Sequence, residues 1–203
     1  MVTIIPAILA TTEEEYKDKL QKIGSCPELA EGWVHIDLQD GKFTQNATIS
    51  PEIIAKYPTN LKIELHLMVE NPEEISLKLE SADIGRVITH IEVSKDGANL
   101  AINPETPISS LEGVKLDSVL IMGVHPGSQG QGFIPETIEK IRECSRLRSN
   151  NNLDFKISVD GGVTPENAKL IVDAGADYLV VGSHLLEGNI DENLESFWVE
   201  LSK

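Results

Sequence analysis

Eight short apolar runs, each followed by a turn or a helix-start signal, set the strongest limit on what this chain can become. The runs are 2–9 (VTIIPAIL), 33–38, 61–68 (LKIELHLM), 86–92 (RVITHIE), 98–103, 117–124 (DSVLIMGV), 155–160 (FKISVD) and 177–182. Between them stand Thr11/Thr12 ahead of Glu14 and Glu15, Ser50-Pro51-Glu52, Asn71-Pro72-Glu73, Ile134-Pro135-Glu136 and Thr164-Pro165-Glu166. A Ser, Thr or Asn side chain satisfies N–H groups that a first helical turn leaves open, and proline there gives up no hydrogen bond. Gly175, after the apolar pattern of 164–174, suits the left-handed residue that ends a helix. Strands alternating with helices build parallel βαβ units. Eight strands in 203 residues fit one α/β domain over 1–203, a closed (β/α)8 TIM barrel. A doubly wound open sheet is the alternative.

One connection breaks the pattern. Between the fourth and fifth runs lies only VSKDGAN, where a parallel crossover normally takes a dozen residues or more. Seven residues at roughly 3.3 Å each span about 23 Å, enough for an extended return but not for a helix. The crossover helix between strands 4 and 5 is therefore expected to be missing. Its apolar outer face would need another cover, such as a second subunit, so a homo-oligomer is expected.

Composition removes several classes of function. A formal charge of −16 argues against nucleic acid, whose phosphates call for clustered Lys and Arg. An anionic substrate would have to be held by local backbone N–H groups. No apolar run is long enough to span a bilayer, so no membrane partner is expected. The start, MVTIIPAILATTEEEY, has no basic segment and reads as a first strand rather than a signal peptide. Cys26 and Cys144 match no metal spacing and read as reduced, half-buried residues of a cytoplasmic protein.

All five histidines, His35, His66, His90, His125 and His184, lie near the carboxyl end of a candidate strand or just beyond it. In parallel α/β folds that end carries the site. His35 and Asp37 are two apart, so they share one face of their strand, which in a barrel is the interior. His66 in ELHLM and Asp160 in SVDGGV end other strands. Two imidazoles and two carboxylates at one mouth suit one divalent ion such as Zn, Fe, Mn or Co, or else form a hydrogen-bonded polar cluster without metal. Glycine-bearing turns follow the later strands: HPGSQGQGF (125–133), DGGV (160–163) and VGSHL (181–185). Gly161-Gly162 and Gly182-Ser183 occupy the loops where barrels often hold phosphate. A metal, two carboxylates and a phosphate grip point to proton chemistry beside a carbonyl. Epimerisation or isomerisation of a sugar phosphate through an enediolate is such a reaction.

These residues resemble the ribulose-phosphate 3-epimerase family. The matching stretches are IIPAIL (4–9), HIDLQDGKF (35–43), LHLMVENPE (65–73), INPETP (102–107), VHPGSQGQGFIPE (124–136), SVDGGVTPE (158–166) and AGADYLVVGS (174–183). They run in family order over nearly the whole chain. The resemblance implies interconversion of D-ribulose 5-phosphate and D-xylulose 5-phosphate in the pentose phosphate pathway. It implies a divalent metal on His35, Asp37, His66 and Asp160, with Asp37 and Asp160 as the acid/base pair. Met68 and Met122 match methionines that line the enediolate site, and Gly130, Gly162, Gly182 and Ser183 lie in loops that match the phosphate grip.

The chain departs from the family in several places. Ala7 stands where the family has a substrate-touching serine, and Gln39 where it has a methionine. Ser128 and Gln129 alter the flexible loop. His125 and His184 have no family counterpart, and the helix after the His90 strand is missing. These departures leave two other readings: an epimerase of a ketohexose 6-phosphate, and a shortened barrel that binds metal or sugar phosphate with little or no catalysis.

Overall fold

The computed structural model describes residues 2–29, 32–79, 83–128 and 130–203. Its strands are β1 (Thr3–Ile8), β2 (Trp33–Gln39), β3 (Lys62–Met68), β4 (Ile84–His90), β5 (Asn99–Ile102), β6 (Ser118–Met122), β7 (Lys156–Asp160) and β8 (Tyr178–Val181). Each pairs in parallel with the next, and β8 pairs with β1, so the sheet closes. The helices are α1 (Glu13–Ser25), α2 (Pro51–Lys56), α3 (Pro72–Lys78), α4 (Thr137–Asn150), α5 (Pro165–Asp173), α6 (Ser183–Leu186) and α7 (Ile190–Leu201). This is the (β/α)8 barrel that the alternating runs predict, and the open sheet is excluded.

The start signals act as their chemistry requires. Thr12 caps α1 by accepting the Glu15 N–H at 3.2 Å. Thr164 and Asn167 form a capping box on α5. Gly175 takes φ +120°, and the N–H groups of Gly175 and Ala176 return to Val172 and Ile171, closing α5. α4 begins two residues after Pro135, because Thr137 and Ile138 first bond back to Ile134 and Pro135 in a tighter turn.

The fourth crossover has no helix. Residues 91–98 make one turn, in which the Val93 and Ser94 N–H groups share the His90 carbonyl. The next connection carries only a 3-10 turn, Ile108–Leu111. Even so, Leu100 and Ile102 of β5 are fully buried, packed in the outer core with Ile91, Ile108 and Leu111. Irregular chain thus covers β5 in place of a helix. On β4, Val87 stays half-buried and the neighbouring Val93 is exposed.

There are two cores. The larger lies between sheet and helices, where α4 buries Ile138, Ile141 and Cys144, and α7 buries Ile190, Leu194 and Phe197, at helical spacing. The smaller fills the barrel: Ile5, Ala7, Ile88, Ala101, Leu120, Met122 and Val180. Cys26 and Cys144 are free and fully buried, deeper than the half-burial expected of them. Among the described residues no helix is long and apolar enough to cross a membrane.

Candidate metal centre at the barrel mouth

Strand register brings the polar residues together. In β2 and β3, His35 stands beside Glu64, Asp37 beside His66 and Gln39 beside Met68. In β6 and β7, Met122 stands beside Asp160. Period-2 alternation turns these residues into the barrel. His66 Nδ1 lies 2.9 Å from Asp37 Oδ1 and 3.9 Å from Asp160 Oδ2, and His35 Nε2 lies 3.2 Å from the same Asp37 oxygen. One ligand atom from each of His35, Asp37, His66 and Asp160 falls within 4.8 Å of all the others. Two imidazole nitrogens and two carboxylate oxygens converging in this way fit a first-row divalent ion.

The two carboxylates differ in state. Burial pushes Asp37 up, but the charge of His35 and hydrogen bonds with His35 and His66 outweigh it and hold the carboxyl well below its usual range. Burial also pushes Asp160 up; there the charge of Asp37 adds to it, and Asp160 reaches about 7. Burial disfavours charge on His35 as well, yet Asp37 and Glu64 together raise it well above an ordinary imidazole. Burial keeps His66 neutral.

A cleft opens over this cluster. Asp37, Asp160, Met68, Met122, Gly130, Gly162, Gly182 and Ser183 all line it, as do Ala7, Gln39, Ser128 and His184. His35 and His66 are fully buried just beneath. Gly162 holds φ +67°, and a Cβ there would meet the Phe133 backbone nitrogen at 2.6 Å. Ser183 and His184 open α6, so their N–H groups are not used by the helix itself. Gln39 accepts a hydrogen bond from the Thr44 hydroxyl at 3.2 Å and turns its amide nitrogen toward Met68 Sδ at 3.8 Å. Gln129 lies outside the described residues.

Not every histidine joins. His90 is buried and reaches His66, Nε2 to Nε2, at 2.9 Å. His125 faces solvent and pairs with Glu105 at 3.0 Å, away from the cleft. Three acid and base partners escaped the motif reading: Glu64, Arg86 and Glu92. Glu64 could have been found, since it lies two residues before His66 and so shares its face. Arg86 and Glu92 carry the same signal relative to Ile88 and His90.

The ribulose-phosphate 3 epimerase family model matches residues 3–186. The ribulose-phosphate 3-epimerase of Bacillus subtilis is 35% identical over 205 aligned residues, covering 90% of this chain and 91% of the relative. That of Synechocystis is 34% identical, covering 90% and 86%. Among solved structures, a 3-hexulose-6-phosphate synthase from Salmonella typhimurium superposes with TM-score 0.64 at 15% identity, covering 99% of each chain, which speaks for the fold alone. Closed barrel, ordered motifs and close relatives agree, and the chain belongs to the ribulose-phosphate 3 epimerase family of carbohydrate isomerases.

Proposed function

We propose that this protein, a single barrel domain, interconverts D-ribulose 5-phosphate and D-xylulose 5-phosphate by metal-dependent, two-carboxylate proton transfer. The observation that carries the reading is that Asp37 and Asp160 reach one cleft from β2 and β7, beside His35 and His66, with one ligand atom of each of the four within 4.8 Å of all the others. Ionised Asp37 removes the C3 proton from one face of the substrate. Protonated Asp160 returns a proton to C3 from the other face, inverting the centre. Between the two transfers the substrate is a planar enediolate. Each carboxylate has two oxygens, so one can face an ion while the other handles the proton.

His35, Asp37, His66 and Asp160 would hold the divalent ion, which would supply Lewis-acid stabilisation of the enediolate charge. The Met68 and Met122 thioethers flank the reacting carbons with polarisable apolar surface that offers no competing proton. Backbone N–H groups around Gly130, Gly162, Gly182 and Ser183 bind the phosphate, as a chain of charge −16 requires.

A coupled assay on ribulose 5-phosphate with Zn²⁺, Fe²⁺, Mn²⁺ or Co²⁺ tests this. Turnover supports it, turnover on a ketohexose 6-phosphate alone moves the substrate, and binding without turnover of either leaves a non-catalytic barrel. The buried free cysteines support a cytoplasmic, reducing location. Partly open Val87 and exposed Val93 beside the missing helix support a homo-oligomer, which sedimentation checks.

A further inference from the structure

The two ligand histidines turn different nitrogens toward the centre. His35 presents Nε2 and His66 presents Nδ1. On the far side of His35, Nδ1 lies 2.5 Å from Glu64 Oε1. An ionised carboxylate can only accept, so Nδ1 carries a hydrogen, and Nε2 is the nitrogen whose lone pair a metal ion would take. On the far side of His66 the chain of bonds is one residue longer. Glu92 Oε2 lies 3.2 Å from His90 Nδ1, and His90 Nε2 lies 2.9 Å from His66 Nε2. If Glu92 accepts from His90 Nδ1–H, His90 Nε2 must accept in turn, and His66 must donate from Nε2. In that arrangement Nδ1 is the His66 nitrogen open to a metal ion. His35 Nε2 and His66 Nδ1 face the same oxygen, Asp37 Oδ1, at 3.2 and 2.9 Å, where a hydrogen on either nitrogen can be given to the carboxylate. A metal ion at that point would displace those hydrogens, and Glu64 and His90 would then accept the ones left on His35 Nδ1 and His66 Nε2.

Both acids are themselves anchored. Glu64 is fully buried and pairs with Arg86, whose guanidinium lies 4.4 Å from the Trp33 ring centroid and 5.1 Å from that of Tyr178. A bulge at Gly85 makes this possible. Ile63 pairs with Ile84 but Glu64 pairs with Arg86, so the arginine is phased into the barrel beneath the glutamate. A Cβ on residue 85 would meet the Trp33 ring at 2.8 Å. Glu92 accepts the Asn103 N–H at 2.9 Å and the Thr106 hydroxyl.

We propose that Glu64, held by Arg86, and Glu92, acting through His90, are positioning residues that fix His35 and His66 in opposite ring tautomers, so that Nε2 of one and Nδ1 of the other are the metal-binding atoms. Outer partners of this kind set ligand orientation and basicity at metal sites. The inference rests on the metal reading given above, and its test separates the two.

The test is titration of ¹⁵N-histidine-labelled protein with Zn²⁺ alone, read by long-range ¹H–¹⁵N correlation and by calorimetry. Wild type is expected to show metal-bound shifts at His35 Nε2 and His66 Nδ1, with hydrogens on the two opposite nitrogens. Glu92→Leu should weaken Zn²⁺ binding about 10–100-fold. Glu64→Leu would strand Arg86, so the double variant Glu64→Leu/Arg86→Met is used, with the same loss expected and a fold retained by circular dichroism. Glu64→Gln and Glu92→Gln, whose amide oxygens still accept, should stay within a few-fold of wild type. Coordination through the same nitrogen in both rings overturns the inference while the metal reading survives, as does unchanged affinity in both leucine variants. Wild type that takes up no Zn²⁺ overturns the metal reading and the inference with it.

Discussion

The barrel interior has two unlike walls. β2, β3 and β4 turn His35, Asp37, Gln39, Glu64, His66, Arg86 and His90 inward, nearly all buried and linked through hydrogen bonds or ion pairs. β1, β5, β6 and β8 turn Ile5, Ala7, Ala101, Leu120, Met122 and Val180 inward. One kind of side chain behaves in opposite ways on the two. Asp37 sits among histidines and is driven toward its ionised form, whereas Asp160, in register with Met122 and Val180, is driven toward its acid form. Burial desolvates both; on the polar wall the imidazoles of His35 and His66 outweigh it at Asp37, whereas at Asp160 the charge of Asp37 adds to it. A base and an acid therefore arise from two aspartates without any other difference between them.

The sharpest way to break this contrast is to remove either carboxylate. Asp37→Asn and Asp160→Asn should each lower kcat by about 10³-fold or more, the scale of lost acid–base catalysis. The thermal midpoint of each should stay within a few degrees of wild type, and near-normal turnover in either would refute the paired roles. Next in size is the buried ion pair of the polar wall. Arg86→Met leaves a fully buried Glu64 charge, which costs about 3–5 kcal/mol. Replacing both partners by apolar residues should restore most of that in urea unfolding. If the single variant is as stable as wild type, the wall does not depend on charge pairing. A smaller effect falls on the glycine loops. Gly162→Ala forces a Cβ against the Phe133 backbone at φ +67°, a strain of about 1–3 kcal/mol that should also raise KM for the phosphate ester. An unchanged KM would remove residue 162 from the phosphate grip.

How much of this was legible in the sequence follows the same division. Caps and alternation give the barrel, because local backbone chemistry decides both. His35, Asp37, His66 and Asp160 are legible because chemistry-bearing residues at strand ends stand out against apolar runs. Glu64 and Arg86 are not read from motifs, since each looks like an ordinary strand charge until strand register pairs them. The bulge at Gly85 that sets that register depends on Trp33, more than fifty positions away in the chain. His125 misleads for the converse reason: it follows a strand end, but the chain has already turned outward toward Glu105. The missing helix is legible as a length, yet what covers β5 is not, because Ile108 and Leu111 arrive from the next connection.

A slope with pH tests the two walls without catalysis. In metal-free protein the carboxyl of Asp160 is raised from an ordinary value of 3.8 to about 7. Between those values the folded chain holds a proton that the unfolded chain has released. Stability must then fall as pH rises through that window. This contribution is fully present below pH 4 and is lost as pH passes 7. Asp37 is depressed, so it acts in the opposite sense and only below its ordinary value, where stability falls as pH drops. The two effects therefore occupy separate pH ranges. Urea unfolding of chelator-treated protein between pH 4 and 8 should show stability falling more, or rising less, with pH in wild type than in Asp160→Asn, because the amide has no proton to lose, while His66 and His90, lowered by burial, act in the opposite sense in both proteins. Equal slopes in the two proteins would mean that burial and the charge of Asp37 do not hold Asp160 in its acid form, and the division of roles between the aspartates would need another cause.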